Sequence, residues 1–131
     1  MNLVREFNEK RILFLRLQNI YSLLLILLIF GLDRFSKIKI LNNFNDNTFF
    51  VSNYVNLDLI WNTGIGFGLL SSDSFIIYNA ITIIIFFVIM VLFYLAAVSR
   101  KLDNIIFSLI IGGALGNLYD RLFYNAVPDF M

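Results

Sequence analysis

Carboxylates are the side chains of this sequence that could act as a general acid or a general base. The chain contains neither cysteine nor histidine, which excludes thiol nucleophiles, imidazole-based metal sites and Ser-His-Asp triads. Asp120 and Asp129 lie close to the end of the sequence. Two carboxyl groups that are held together share a proton, because both cannot be charged cheaply. The charged member then activates a water and the protonated member supports a carbonyl, which is the chemistry of aspartic peptidases.

Ser36 and Lys37 offer an alternative chemistry, that of a serine–lysine dyad. Consecutive residues of a helix point about 100° apart, so this pair is poorly arranged for proton transfer. Asp33 and Lys37 are four residues apart, where opposite charges on one face of a helix attract each other. The spacing therefore predicts a salt bridge between Asp33 and Lys37 at the end of the first apolar segment.

A second set of polar residues adjoins a glycine-rich helix face. Gly112 and Gly116 are four residues apart, a pattern that lets another helix approach closely. Asn117 and Arg121 have the same spacing, and Asp120 follows Gly116 at that interval. Helix packing explains the glycines but not the cluster of polar side chains on the next turn. Charged groups at membrane depth are expensive, so they point to a functional site.

These polar residues are set among long apolar blocks. The chain of 131 residues is 60% hydrophobic and only 15% charged, a balance typical of membrane proteins rather than soluble domains. About 20 apolar helical residues cross a hydrocarbon core of about 30 Å. We therefore predict one all-α polytopic membrane domain, residues 1–131, with three transmembrane helices. Their predicted bounds are about 16–36, 75–98 and 104–122.

The segment between the first two predicted helices, about residues 38–73, is predicted to be a loop that leads into a small β-element. Residues 41–50 are rich in asparagine, and residues 55–62 alternate apolar with mostly polar side chains, the period of a half-buried strand. Gly64, Gly66 and Gly68 follow. A phosphate-binding loop is disfavoured, since the pattern is not G-x-G-x-x-G and no Lys-Ser/Thr pair follows. We expect this element to form a surface outside the membrane.

The basic residues predict the orientation of the chain. Residues 1–16 and the predicted loop 99–103 are rich in Lys and Arg, which places both on the cytoplasmic side. The segment 38–73 and the C-terminal tail are then external. Arg34, Lys37 and Lys39 count against this assignment. No A-x-A-like cleavage site follows the first apolar block, so we expect a retained anchor rather than a cleaved signal peptide.

Four stretches of the sequence resemble the successive sequence boxes of bacterial lipoprotein signal peptidase, also called signal peptidase II. They are LDRFSK at 32–37, NTGIGF at 62–67, GGALGNLYDR at 112–121 and VPDF at 127–130. The resemblance implies an aspartic endopeptidase of the bacterial inner membrane, which removes signal peptides from diacylglyceryl-modified prolipoproteins and cuts before the lipidated cysteine. It also implies a four-helix membrane bundle with a small external β-cradle between helices 1 and 2, and a site on the periplasmic face.

The same resemblance assigns roles to residues. Asp129 matches one member of the catalytic aspartate pair. Substrate-binding or supporting positions of the family match Asn62, Gly64, Asn117, Arg121, Asp120, Asp33 and Lys37. Among these, Asp120 is expected to orient its neighbours rather than to react. The implied partners are lipidated signal peptides and membrane lipid, with no cofactor, metal or nucleic acid; the sequence leaves the oligomeric state open.

The sequence departs from the family pattern in three places. Asn125 stands where a glycine is common, and Pro128 where a valine is common, although proline suits an extended stretch after a helix. The F-N-x-A-D box, which carries the second catalytic aspartate in the family, is not found within the 131 residues. We therefore expect an apparently truncated polypeptide that holds half of the dyad and has little or no peptidase activity alone.

Three other interpretations remain open. Asp120 and Asp129 could themselves form the dyad, although Asp120 pairs more simply with Lys37 or Arg121. The chain could be a non-catalytic membrane remnant or a helper subunit with an interfacial ion-pair network. A transporter or a proton channel is disfavoured, because the acidic residues gather at one interface and none falls within residues 75–98.

Overall fold

A computed structural model describes residues 16–43, 49–52, 55–57, 59–65, 69–70 and 74–130 of the chain. The helices are α1 Leu17–Asn43, α2 Phe75–Val98 and α3 Lys101–Tyr124. The strands are β1 Phe49–Ser52, β2 Val55–Leu57, β3 Leu59–Asn62 and β4 Val127–Phe130. Gly66 and Gly68 of the predicted β-element lie outside the described residues.

The helices α2 and α3 follow the long uncharged blocks of the sequence. α2 has the predicted bounds, because no charge, glycine or proline interrupts it. α3 begins at Lys101 rather than near residue 104, so part of the predicted loop 99–103 is helical. Asp103 suits this first turn, since a carboxylate there meets the positive end of the helix dipole. Within the described part of the chain, α2 and α3 are long and apolar enough to cross a membrane.

Helix α1 runs to Asn43, further than the predicted end near residue 36. The added residues continue the helix because Ile38, Ile40 and Leu41 are apolar and neither glycine nor proline interrupts them. The first residues of the predicted external loop are therefore helical. The mostly helical fold is consistent with a membrane protein, and a membrane crossing by α1 stays a prediction.

Helix α3 packs against both α1 and α2, and these two helices contact each other much less than either contacts α3. Ile26, Ala96 and Ile111, one from each helix, form the buried core. Gly112 allows α1 to approach, since a Cβ atom there would lie 2.6 Å from the Cβ of Ile29. A Cβ at Gly116 would overlap the carboxylate of Asp33. The two glycines thus set the close α1–α3 contact that their spacing predicts.

Three amide side chains, which we call the amide clamp, hold the end of the bundle where α2 turns into α3. Asn104 donates to the carbonyl oxygen of Ala96 at 2.7 Å, and Asn19 donates to that of Ala97 at 3.2 Å. Gln18 donates to the carbonyl oxygen of Ser99 at 3.1 Å. The last carbonyls of a helix have no partner within it, so side chains from α1 and α3 satisfy the end of α2.

The strands form two antiparallel pairs, β1 with β2 and β3 with β4. The alternating segment 55–62 therefore contributes to two sheets rather than to one strand. In the second sheet, Ile60 lies opposite Asp129 and Asn62 lies opposite Val127. Because β4 is the C-terminal VPDF stretch, this pairing places Asp129 beside β3, on the same face as Asn62.

Asn125 joins α3 to β4 in a left-handed backbone conformation, with φ of 56° and ψ of 18°. Glycine adopts this conformation at the least cost, and asparagine tolerates it better than most other residues. The conformation gives a physical reason for the glycine that is common at this position in the resembling family. The turn ends α3 and directs the chain into the strand that carries Asp129.

Candidate active site

Asp129 is held by Asn62 across the β3–β4 pair. The two residues are diagonal neighbours in the register, so their side chains share one face of the sheet. The Nδ2 group of Asn62 donates to Oδ2 of Asp129 at 2.7 Å. Asp129 is half-buried and Asn62 is buried. A hydrogen bond to one oxygen fixes the carboxylate and leaves its other oxygen for a water or a substrate.

The other polar atoms of Asn62 build the turn after β3. Its Nδ2 also donates to the carbonyl oxygen of Ile65 at 3.0 Å, and its Oδ1 accepts from the amide of Gly64 at 2.8 Å. Such bonds from an asparagine to the backbone ahead of it stabilise a tight turn. The side chain of Asn62 therefore has two roles, because it stabilises the turn at Gly64 and orients the carboxylate of Asp129.

Arg121 contacts the same turn at Gly64 and is only 3% exposed. Its Nη2 donates to the carbonyl oxygen of Gly64, whereas its Nη1 is buried without a partner among the described residues. Tyr78 contacts this residue twice: its hydroxyl donates to the Arg121 carbonyl oxygen at 2.9 Å, and its ring centroid lies 5.4 Å from the guanidinium carbon. A buried guanidinium nitrogen without a partner is costly unless a ligand satisfies it.

The charged cluster, defined here as Asp33, Arg34, Lys37, Asn117 and Asp120, joins α1 to α3. Lys37 Nζ lies 2.7 Å from Asp120 Oδ2, 3.1 Å from Asp33 Oδ1 and 2.9 Å from Asn117 Oδ1. Arg34 binds the other oxygen of Asp120 at 2.5 Å and also binds Asp33 at 2.9 Å. Asp120 is completely buried, so two cations compensate a carboxylate that has lost all its water.

The cluster extends the salt bridge predicted between Asp33 and Lys37. That bridge is present, but Lys37 is buried and also reaches across to α3. Asp120 pairs with Lys37, as one of the two predicted partners, and with Arg34 instead of the neighbouring Arg121. Sequence reasoning missed the role of Arg34, because its partner Asp120 lies on another helix and no spacing within one segment indicates that contact.

The Ser36–Lys37 dyad does not form. Ser36 is exposed and its hydroxyl donates to the carbonyl oxygen of Asp33 at 2.9 Å. Lys37 is occupied by Asp33, Asn117 and Asp120. A base that already donates to three acceptors is unavailable to activate a hydroxyl on another face of the helix.

A pocket of about 310 Å³ brings the remaining polar residues together. It is lined by Asn62, Gly64, Ile65, Ile85, Ala114, Asn117, Arg121, Val127 and Asp129. Five of the predicted site residues thus share one pocket, and Asp33, Lys37 and Asp120 do not line it. Asp129 is the only carboxylate among the described lining residues. The Asp120–Asp129 dyad is not assembled, because both oxygens of Asp120 are bound by cations.

Comparisons with known proteins identify the family of the chain. Residues 25–131 match the family described as signal peptidase (SPase) II. A lipoprotein signal peptidase of Pelagibacter ubique (strain HTCC1062) is 42% identical over 121 residues, covering 89% of this chain and 73% of the relative. One from Wigglesworthia glossinidia brevipalpis is 38% identical over 112 residues, covering 84% of this chain and 73% of the relative. The comparison with solved structures found no significant match.

Proposed function

Because the chain belongs to the signal peptidase II family, we propose that its pocket binds the signal peptides of diacylglyceryl-modified prolipoproteins for cleavage before the lipidated cysteine. The single observation that carries this proposal is the placement of Asp129. Asn62 holds this carboxylate at 2.7 Å in a pocket whose other wall is formed by Asn117 and Arg121 of α3. An oriented carboxylate facing hydrogen-bond donors suits hydrolysis of a peptide bond.

Asp129 takes the role of the carboxylate that activates the attacking water. Arg121 supplies its Nη1 group, which has no partner among the described residues, to a carbonyl oxygen of the bound peptide. Asn117 supplies a second donor. Since an ammonium group has donors only, Lys37 faces the oxygen of Asn117 and turns its amide nitrogen to the other side. The charged cluster thereby acts from behind the pocket, as a support for Asn117 rather than as reacting groups.

Peptide hydrolysis by this chemistry needs a second carboxyl group beside Asp129. A carboxylate pair acts as a unit, so one member alone retains little of the rate. Among the described residues that line the pocket, Asp129 is the only one with a carboxylate. We therefore expect a polypeptide of these 131 residues to bind a lipidated signal peptide and to cleave it very slowly.

The proposed setting is the bacterial inner membrane, with α1, α2 and α3 as three crossings and the N-terminus in the cytoplasm. Trp61 of β3 and Tyr124 of α3 lie beside the site, with ring centroids 6.0 Å apart, and both are partly exposed. Such aromatic residues prefer the level of the lipid headgroups. This arrangement supports a pocket that opens at the external membrane surface, where the lipidated cysteine of a precursor would lie.

The test uses the purified 131-residue polypeptide in lipid nanodiscs with a fluorescent, diacylglyceryl-modified prolipoprotein peptide. Binding is measured by anisotropy and cleavage by mass spectrometry, and the unlipidated peptide serves as the ligand control. We expect saturable binding that requires the lipid, with little product. Efficient cleavage that Asp129→Asn abolishes would show that no second carboxylate is needed. Equal binding of the unlipidated peptide, or no binding, would overturn the proposed function.

A further inference from the structure

Arg121 needs support that the pocket itself does not provide. A guanidinium has five N–H donors in a planar fork, and burial removes the water that would otherwise satisfy them. Within the pocket, the carbonyl oxygen of Gly64 accepts from Nη2. Nη1 stays unpaired among the described residues. A buried side chain with one free donor keeps a single orientation only if other groups restrain it.

Tyr78 supplies that restraint from outside the pocket. It lies in the first turn of α2, is 8% exposed, and is not among the residues that line the pocket. Arg121 is one of the last four residues of α3, whose carbonyl oxygens have no partner within the helix. The Tyr78 hydroxyl donates to this carbonyl at 2.9 Å. The Tyr78 ring lies near the guanidinium, at a distance typical of a cation–π contact.

We propose that Tyr78 is a positioning residue, which fixes both the backbone and the guanidinium of Arg121 so that Nη1 is presented to a carbonyl oxygen of the bound peptide. The inference rests on the proposed function, since it assigns a partner to Nη1. It adds a residue outside the four stretches that resemble the family boxes. The ring and the hydroxyl have separate tasks, because the ring restrains the guanidinium and the hydroxyl restrains the end of α3.

Two substitutions separate these tasks. Tyr78→Phe keeps the ring and removes the hydroxyl, whereas Tyr78→Leu removes both. We expect Tyr78→Leu to weaken binding of the lipidated peptide by about tenfold and Tyr78→Phe by about threefold. Tyr94→Leu is the matched control, since Tyr94 lies on the same helix and is 61% exposed. It should leave the dissociation constant unchanged.

A double-mutant cycle distinguishes positioning from general support of the fold. If Tyr78 acts through Arg121, Tyr78→Leu has no further effect on peptide binding in the Arg121→Ala background. An equal loss in both backgrounds would overturn the proposal, because the effect would then not pass through Arg121. Wild-type affinity of Tyr78→Leu would overturn it as well.

A measurement without peptide separates failure of this inference from failure of the proposed function. The Nε–H resonance of Arg121, assigned by its loss in Arg121→Lys, should move in Tyr78→Leu and much less in Tyr78→Phe, since the nearby ring shifts it. An unchanged resonance would overturn the contact itself. If the resonance moves but wild-type protein binds no lipidated peptide, the proposed function fails, and the assignment of Nη1 to a peptide carbonyl fails with it.

Discussion

The two ends of the helix bundle are held together by different chemistry. At one end, the neutral amide clamp satisfies carbonyl oxygens at the end of α2. At the other end, the charged cluster binds α1 to α3 through two carboxylates and two cations. At both ends, polar groups inside an apolar molecule have hydrogen-bond or ion-pair partners. Only the charged end adjoins the pocket that contains Asp129.

The two kinds of contact differ in what they contribute to the stability of the fold. A neutral hydrogen bond contributes about 1 kcal/mol, and it removes the cost of orphan carbonyls that any helix end has. A buried ion pair often stabilises a protein no better than apolar residues would, so the charged cluster is not explained by stability alone. Its contact with Asn117 links it to the pocket. We interpret the amide clamp as structural and the charged cluster as support for the site.

Removal of Asp120 should produce the largest loss of stability at the charged end. Asp120→Ala leaves Arg34 and Lys37 with Asp33 as their remaining carboxylate. Breaking a buried ion pair in this way typically costs about 3 to 5 kcal/mol. The measurement is the free energy of unfolding by SDS titration in mixed micelles, with Asp103→Ala as control, because Asp103 is an exposed carboxylate of the same helix. A loss no greater than that of Asp103→Ala would contradict the assigned importance of the cluster.

Gly116→Ala should disturb the charged cluster without removing a charge. The new methyl group would overlap the Asp33 carboxylate, so α1 and α3 must separate or Asp33 must leave its partners. We expect the free energy of unfolding to fall by about 1 to 3 kcal/mol. Gly113→Ala provides the matched control, since nothing lies within 4 Å of its added Cβ. The free energy of unfolding of Gly113→Ala should rise by up to about 1 kcal/mol, because alanine has a higher helix propensity than glycine. Equal losses of stability in Gly116→Ala and Gly113→Ala would contradict the close contact at Gly116.

The sequence predicts the parts of the molecule that local patterns encode. Helix α2 follows from an uninterrupted apolar run, and the Asp33–Lys37 bridge follows from a spacing of four. The pairing of β3 with β4 could not be read in this way, because VPDF is too short to show a period of two and its partner is far away in sequence. The resemblance to a family placed Asp129 and Asn62 in one site, but it did not indicate which atoms meet.

Two contacts of the site had no local signal at all. Arg34 reaches Asp120 across the helix interface, a contact that depends on how closely Gly112 and Gly116 let α1 approach. Tyr78 is one of three hydroxyl-bearing residues in the apolar helix α2, and such residues more often serve the core than a site. Long-range partners of this kind are set by tertiary packing, so spacing within one segment cannot identify them.

Substitution at the amide clamp should have the smallest effect of the three and should leave binding intact. Asn104→Leu keeps the bulk of a side chain that is 2% exposed but removes the shorter of the two hydrogen bonds to the carbonyl oxygen of Ala96, which keeps only the Ser99 amide at 3.4 Å. We expect the free energy of unfolding to fall by about 1 to 2 kcal/mol. The affinity for the lipidated peptide, measured by anisotropy below the unfolding range, should not change, whereas Lys37→Met, which releases Asn117, should weaken it. If Asn104→Leu weakens binding as much as Lys37→Met does, the two ends are not functionally distinct.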